Sequence, residues 1–265
     1  CRKGLLGELY HGEAAYIHDL RWQMYEEEIG TGSWRTLQYE KKKGNLYPTH
    51  GLGPVSQYMN LLRTDDTFKT LISFSSPALG REKFARENFK ENHKWNKLNY
   101  QNGDINTTVI KTYLGRTIMV QWDETSPRPY TRLNLIQGTK GILAGGPTRA
   151  AFDNGFEGYT KDAEEWIIGE GIDALYEKYD HPMYKRLNKI TQDSGHGGMD
   201  GMMVYRIIEC LRKGEPLDQN VYEGCAWSSL IELTSNSVNN DGQPQDFPDF
   251  TRGNWVNTNT VDIIH

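Results

Sequence analysis

Apolar and polar residues alternate through residues 5 to 20. Tyr10, Gly12, Ala14, Tyr16 and His18 fall on one face of a predicted strand, and Leu9, His11, Glu13 and Ala15 on the other. Tyr16 and His18 therefore point the same way. Residues 25 to 49, punctuated by Gly30, Gly32, Gly44 and Pro48, keep no period and read as a long irregular excursion. Such connections in compact domains are usually functional or disordered, and the Trp and Tyr content here argues for order. Helical spacing is predicted at 50 to 62, a strand at 68 to 74 and a charged amphipathic helix at 78 to 95. Strands at 107 to 113 and 116 to 122 flank Leu114-Gly115, a tight hairpin signal, and short strand-like runs follow at 133 to 136, 140 to 143 and 148 to 152.

The second half turns helical, at 162 to 179, 182 to 191, 198 to 213 and 221 to 240, the third ended by Gly214 and Pro216. A Pro- and Asp-rich tail, 241 to 251, is expected to run over the surface. Strands grouped first and helices afterwards predict an α+β fold, a large, mostly antiparallel open sheet with helices on one face. No repeat or low-complexity linker divides the chain, so residues 1–265 read as one domain.

Composition narrows the function. The 265 residues are 37% hydrophobic and 11% aromatic, enough for a substantial core. With 30 Lys and Arg against 35 Asp and Glu, the net charge of −5 and the lack of a long basic run argue against nucleic acid as a partner. No run approaches 18 apolar residues, so no membrane insertion is expected. Cys1, Cys210 and Cys225 lack metal-site spacing, and no metal is expected. The chain opens at Cys1 rather than Met and soon enters strand-like alternation, from which a missing upstream portion is expected.

Four stretches could carry chemistry. Tyr47-Pro48-Thr49-His50-Gly51-Leu52-Gly53-Pro54 sets a His where a Pro-stiffened loop enters a helix, a place from which it could exchange protons near neutral pH. The same residues also read as a helix start capped by Thr49, with His50 merely packing. Thr125-Ser126-Pro127-Arg128-Pro129-Tyr130 is either a rigid platform for Tyr130 or a plain Pro-rich connection. Arg35, after Trp34, could fork onto a ligand oxygen or onto a carboxylate. Gly195-His196-Gly197-Gly198-Met199-Asp200 could cradle an anion at a helix start or be a flexible capped turn. Gly169, Gly171 and Ala174 match the G-x-G-x-x-A spacing of dinucleotide sites. Residues 162 to 165 before them read as a helix start rather than a strand, so no nucleotide-binding unit is expected. Ordinary glycosidases use a carboxylate pair, but no spacing singles one out among Glu13, Asp19, Asp123 and Glu124.

Taken in order, Gly7-Glu8-Leu9, Gly12-Glu13-Ala14-Ala15-Tyr16-Ile17-His18-Asp19-Leu20-Arg21, Trp34-Arg35, the run 47 to 54, the run 126 to 130 and Gly195-His196-Gly197-Gly198-Met199-Asp200 resemble glycoside hydrolase family 109. That family, whose founding activity is α-N-acetylgalactosaminidase, belongs to the Gfo/Idh/MocA oxidoreductase superfamily. The resemblance spans residues 5 to about 255 and is to the C-terminal, substrate-binding domain alone, with the N-terminal Rossmann NAD-binding domain absent. It implies that Tyr16, Arg35, Tyr47, Pro48, Thr49 and His50 contact the sugar, that Tyr47 and Tyr130 lie near the nicotinamide, and that His50 and Tyr130 transfer protons.

The mechanism implied is cyclic. NAD+ takes a hydride from C3 of the sugar, the ketone acidifies the C2 hydrogen, a base removes it and the C1 group leaves. Water then adds and the hydride returns to C3, so the cofactor is recycled. The resemblance also implies a small-molecule or glycan substrate, allows a homo-oligomer, and leans to a periplasmic or secreted parent. A sugar dehydrogenase of the same superfamily and a non-catalytic carbohydrate-binding domain are the alternatives. Tyr16, Arg35, His50 and Tyr130 are expected to converge on one open face of the sheet.

Overall fold

The structure, a computed structural model, describes residues 1–28 and 31–262, so Gly30 of the excursion lies outside the described residues. Eight strands form one sheet: β1 (Leu9–Ile17), β2 (Phe68–Ser75), β3 (Ile105–Thr112), β4 (Thr117–Asp123), β5 (Leu135–Gly138), β6 (Gly141–Ala144), β7 (Arg149–Phe152) and β8 (Gln245–Asp246), in spatial order β7-β6-β5-β1-β4-β3-β2-β8. Every pairing is antiparallel except β1 with β4, whose parallel register is reached through the long stretch between them. The helices are α1 (Trp34–Lys41), α2 (Thr49–Tyr58), α3 (Gly80–Asn88), α4 (Glu170–Tyr179), α5 (Pro182–Thr191), α6 (Met199–Lys213) and α7 (Val221–Asn239). This is the α+β open sheet that the grouping of strands before helices predicts.

Directly paired residues share a face, so Ala14, Val120, Thr108 and Ser73 form one row, and Glu13, Met119, Val109 and Ile72 the opposite one. The first row is covered. Leu52 and Val55 of α2 and Trp227 and Leu230 of α7 join Ala14, Ile118, Val120 and Ile136 in the main core, and the Ser73 N–H donates to Ser237 Oγ of α7 at 2.9 Å. The second row is open, with Val109 and Ile72 exposed.

Helix α2 lies directly on the β1 backbone because glycines meet there. A Cβ on Gly51 would stand 2.5 Å from the Ala15 nitrogen and 2.7 Å from its oxygen, and one on Gly12 would stand 2.6 Å from Val55 Cγ1. At Gly53 it would meet Trp227 at an ordinary 3.6 Å. Replacing Gly51 by Ala is therefore expected to destabilise the chain by roughly 1–3 kcal/mol, the overpacking range, despite the helix propensity Ala adds. Gly53→Ala should be neutral or stabilising. Equal urea midpoints for the two variants would refute this account of the α2–β1 contact.

Local differences from the sequence expectations have physical causes. The irregular excursion contains α1, whose two turns are held by buried Thr36 and Tyr39 rather than by a long apolar stripe. The helix expected from residue 162 starts at Glu170, because the chain before it makes an antiparallel bridge from Ile167 to Ala150. The helix expected over 78 to 95 stops at Asn88 and is followed by a 3-10 turn, Lys94–Lys97. The surface tail supplies β8, which extends the sheet beyond β2.

Candidate active site

Tyr16 is the penultimate residue of β1, paired with Trp122 of β4. Its side chain follows Gly12 and Ala14 onto the helix-covered face, where it meets α2. Helix α2 begins with Thr49, preceded by Pro48, and no side chain caps it, so Thr49 does not play the capping part its position suggested. Pro48 is buried and sets the turn, whereas His50, partly exposed, projects from the first turn toward Tyr16 at 4.9 Å between ring centroids. The Tyr47 ring stands 4.6 Å from His50 and 4.9 Å from Tyr16, while the Tyr47 N–H donates to Asn45 Oδ1 at 2.9 Å.

Tyr130 arrives from a loop tied at both ends. The Asp123 carboxylate accepts from the Thr125 and Ser126 N–H groups at 2.9 and 3.0 Å, and Thr131 exchanges backbone hydrogen bonds of 3.1 Å with Ile17. Between these ties the Tyr130 ring, half exposed, packs 6.4 Å from Tyr16 and 5.1 Å from His18. Its hydroxyl accepts from Arg132 Nε.

Arg35 enters from α1. Its guanidinium lies 4.7 Å from the Trp34 ring centroid and 5.3 Å from that of Tyr47. Nε donates to Glu124 Oε1 and Nη1 to Gln23 Oε1, both at 3.0 Å, leaving Nη2 without a hydrogen-bond partner among the described residues. The carboxylate reading of Arg35 is the one the structure shows, and Nη2 is left facing no described acceptor.

The four residues converge as expected, but at the C-terminal end of β1 on the helix-bearing face and not on the open face. The reason is the parity of β1. Gly12, Ala14 and Tyr16 share the side on which α2 packs, and α2 brings His50 to that same side.

Environment sets the chemistry of these groups. Burial pushes the Tyr16 hydroxyl up to about 12, with the Glu124 charge adding to it and Arg35 opposing. Tyr16 is therefore a neutral hydrogen-bond donor at ordinary pH. Burial, then the nearby charges of Arg132, His196 and Arg35, hold His50 below the usual histidine range, so its ring is neutral and able to accept a proton. Neither His50 ring nitrogen has a hydrogen-bond partner among the described residues. Burial raises the Glu124 carboxyl against the pull of Arg35 and Arg81.

Four participants were not singled out as site residues from the sequence. His18 shares the Tyr16 face by alternation, so its place was readable. His196, whose Nδ1 lies 2.9 Å from Asp200 Oδ2, belongs to a quoted motif, but only the fold brings its charge to bear on His50. Glu124 and Arg132 flank the Tyr130 loop and carry no separate sequence signal.

Among the described residues no carboxylate pair faces the cluster. Glu13 lies on the open side, Asp19 is gripped by Arg21 through two 2.8 Å bonds, Asp123 holds the loop, and Glu124 is buried on Arg35. Among the described residues no group of three His, Cys, Asp or Glu could hold a metal, and no helix is long and apolar enough to cross a membrane.

The same fold occurs in solved oxidoreductases. A levoglucosan dehydrogenase in complex with NADH and levoglucosan superposes with a TM-score of 0.59 at 14% identity, over 94% of this chain and 61% of that one. An NAD binding oxidoreductase from Klebsiella pneumoniae gives 0.58 at 12%, over 93% and 60%. The fold is thus one that these oxidoreductases share. Within that class, the family model "Glycosyl hydrolase 109, C-terminal domain" matches residues 1–257. "Glycosyl hydrolase family 109 protein 1" of Akkermansia muciniphila is 59% identical over 265 residues, 99% of this chain and 54% of that protein. A "Glycosyl hydrolase family 109 protein" of a Shewanella species is 54% identical over 264 residues, 99% and 56%. The chain belongs to glycoside hydrolase family 109. It spans about half the length of these curated relatives.

Proposed function

We propose that this chain is the substrate-site half of an NAD-dependent glycosidase acting on N-acetylgalactosaminides or related glycosides by transient oxidation at C3. One observation carries the reading: Tyr16, Tyr47, His50 and Tyr130 form a partly exposed cluster near which, among the described residues, every carboxylate is already committed elsewhere. A two-carboxylate glycosidase needs a facing pair of acids. A mechanism through C3 oxidation needs only groups that hold the sugar and exchange protons.

The residues present fit the nicotinamide end of NAD and not its pyrophosphate. Tyr47 and the half-exposed Tyr130 offer aromatic faces beside His50. Gly169, Gly171 and Ala174 still fail as a phosphate cradle, though for a different reason than a helix start at 162. Only the single antiparallel bridge residue Ile167 precedes them, where a phosphate-binding turn needs a parallel strand.

When bound, NAD+ supplies the hydride acceptor for C3 and returns the hydride at the end. Arg35 Nη2 and the Tyr16 hydroxyl donate to sugar oxygens and fix the ring. His50, held neutral, and the Tyr130 hydroxyl, anchored by Arg132, exchange the protons at C2 and at the leaving oxygen. Trp34 and Tyr47 flank the Arg35 guanidinium and hold it toward the sugar.

The deciding assay is hydrolysis of a chromogenic N-acetylgalactosaminide by the longer protein, with and without added NAD+. Release of chromophore with no net NADH supports the glycosidase, while stoichiometric NADH with the glycosidic bond intact would make it a sugar dehydrogenase. The isolated chain is expected to bind NAD+ no more tightly than about 1 mM by calorimetric titration. Micromolar binding by these 265 residues alone would overturn the half-enzyme reading.

A further inference from the structure

Oxidation at C3 has a proton requirement that His50 and Tyr130 leave unmet. When the C3–H bond gives up its electron pair as hydride, the C3 hydroxyl must lose its proton for the carbonyl to form. A proton must come back when C3 is reduced again. His50 and Tyr130 are occupied with the C2 hydrogen and the leaving oxygen, so a third proton acceptor has to face C3.

His18 stands where such a group is needed. Its backbone N–H donates to the Asp123 carbonyl at 2.8 Å, and the preceding Ile17 exchanges 3.1 Å hydrogen bonds with Thr131. The residue is thereby fixed between the end of β4 and the Tyr130 loop. Its ring lies 6.0 Å from that of Tyr16 and 5.1 Å from that of Tyr130, edge-on to the latter. Among the described residues, the ring contacts divide the cluster into two pairs that meet at Tyr16, Tyr47 with His50 and Tyr130 with His18. A sugar seated on Tyr16 is thus met by two imidazoles, one from each pair, and C2 and C3 are adjacent carbons.

The His18 ring is free to act. It is partly exposed, and neither ring nitrogen has a hydrogen-bond partner among the described residues. The neighbouring groups are poor acceptors by comparison. Burial keeps the Tyr16 hydroxyl protonated, a guanidinium such as Arg35 has only donors, Asp19 is held by Arg21, and Asp123 by the Thr125 and Ser126 N–H groups. Histidine is the side chain suited to take and return a proton near neutral pH.

We infer that His18 is the base at C3. One of its ring nitrogens takes the C3 hydroxyl proton while the C3–H electron pair passes to NAD+ and the C3 carbonyl forms, and it gives the proton back when the hydride returns. This rests on the oxidation at C3 proposed above, and it holds equally for a glycosidase and for a plain dehydrogenase.

His18→Gln in the longer protein tests it, because Gln keeps much of the side chain's bulk and cannot carry the proton. Turnover of a chromogenic N-acetylgalactosaminide should fall about 10²- to 10⁴-fold. Deuterium at C3 of the sugar should slow this variant more than it slows the parent, and deuterium at C2 should not, whereas His50→Ala should show the reverse pattern. Unchanged turnover, or a loss without a larger C3 effect, overturns the inference, the second being what a merely structural role gives. A readout free of turnover comes from nitrogen-15-labelled histidine in the longer protein without NAD+. The His18 ring signals, identified by their absence in His18→Gln, should shift on adding N-acetylgalactosamine and stay in place with its 3-deoxy analogue. Equal shifts with the two sugars, or no shift with either, overturn it. Stoichiometric NADH with the glycosidic bond intact defeats the glycosidase reading alone, and the same C3 comparison on NADH formation then decides His18. Hydrolysis that needs no NAD+ defeats the proposed function and the inference with it.

Discussion

Replacing His50 by Ala in the longer enzyme is expected to lower turnover by about 10²- to 10⁴-fold, the usual contribution of a positioned acid or base, with sugar affinity changed far less. Among the described residues His50 has no hydrogen-bond partner to lose, and its ring packs edge-on against Tyr16 and at a tilt against Tyr47, so its removal takes away a proton acceptor and leaves the site's frame standing. The pH dependence follows from its environment. Burial and the surrounding cations disfavour the imidazolium, so the acid limb of kcat/KM should fall below the ordinary histidine value of about 6.5. In His50→Ala that limb should vanish. The same shift makes a stability statement for the isolated chain. The neutral ring's contribution is present above the unfolded value and is lost as pH falls through the lower folded value, because the unfolded chain takes the proton first. A His50→Ala enzyme that keeps its turnover and its acid limb would remove His50 from the proton-transfer role.

The sheet and its helices were legible because hydrophobic alternation has a period of two and helical faces one of 3.6, and both persist where a layer is buried. Residues 9 to 17 and 105 to 123 show this well. Short elements were not legible. Helix α1 has two turns and a polar sequence, TLQYEK after Trp34-Arg35, and is helical because Tyr39 packs under Trp122, a contact between residues too far apart in the chain for spacing to announce. Strand β8 is two residues long and exists only because β2 presents an edge. For the site, Tyr16, His50 and Tyr130 were readable from motifs, whereas the face on which they meet depends on which side of β1 the glycines open to α2. Glu124 illustrates the limit. It follows Asp123 in an ordinary acidic pair, and nothing in the sequence says that one carboxylate caps a loop while its neighbour is buried against two arginines.

Glu124→Ala should be the most damaging single change to the frame of the site, with a loss of about 3–5 kcal/mol in stability, the penalty of stranding buried charge. The carboxylate is 1% exposed and bonds Arg35 at 3.0 Å. Arg81, also 1% exposed, is stacked 4.4 Å over Tyr39 and, among the described residues, has only Thr36 Oγ1 as hydrogen-bond partner, at 2.9 Å, with Nε and Nη2 unmatched. Glu124 is thus the anion that both guanidinium groups share, and burial works against its charged form while they sustain it. Ala would leave two cations and a cavity. Gln, which keeps the volume and an acceptor for Arg35 Nε, should destabilise less, because removing the carboxylate also removes its own desolvation penalty. Urea unfolding of the isolated chain measures both variants, and a loss below about 1 kcal/mol for Glu124→Ala, the range of a surface ion pair, would show that the pair is solvated. In the longer protein, Arg35→Ala should raise KM with a smaller change in kcat, since the part proposed for Arg35 is only to hold the sugar. Glu124→Gln should shift KM in the same direction through a guanidinium that is present but no longer fixed.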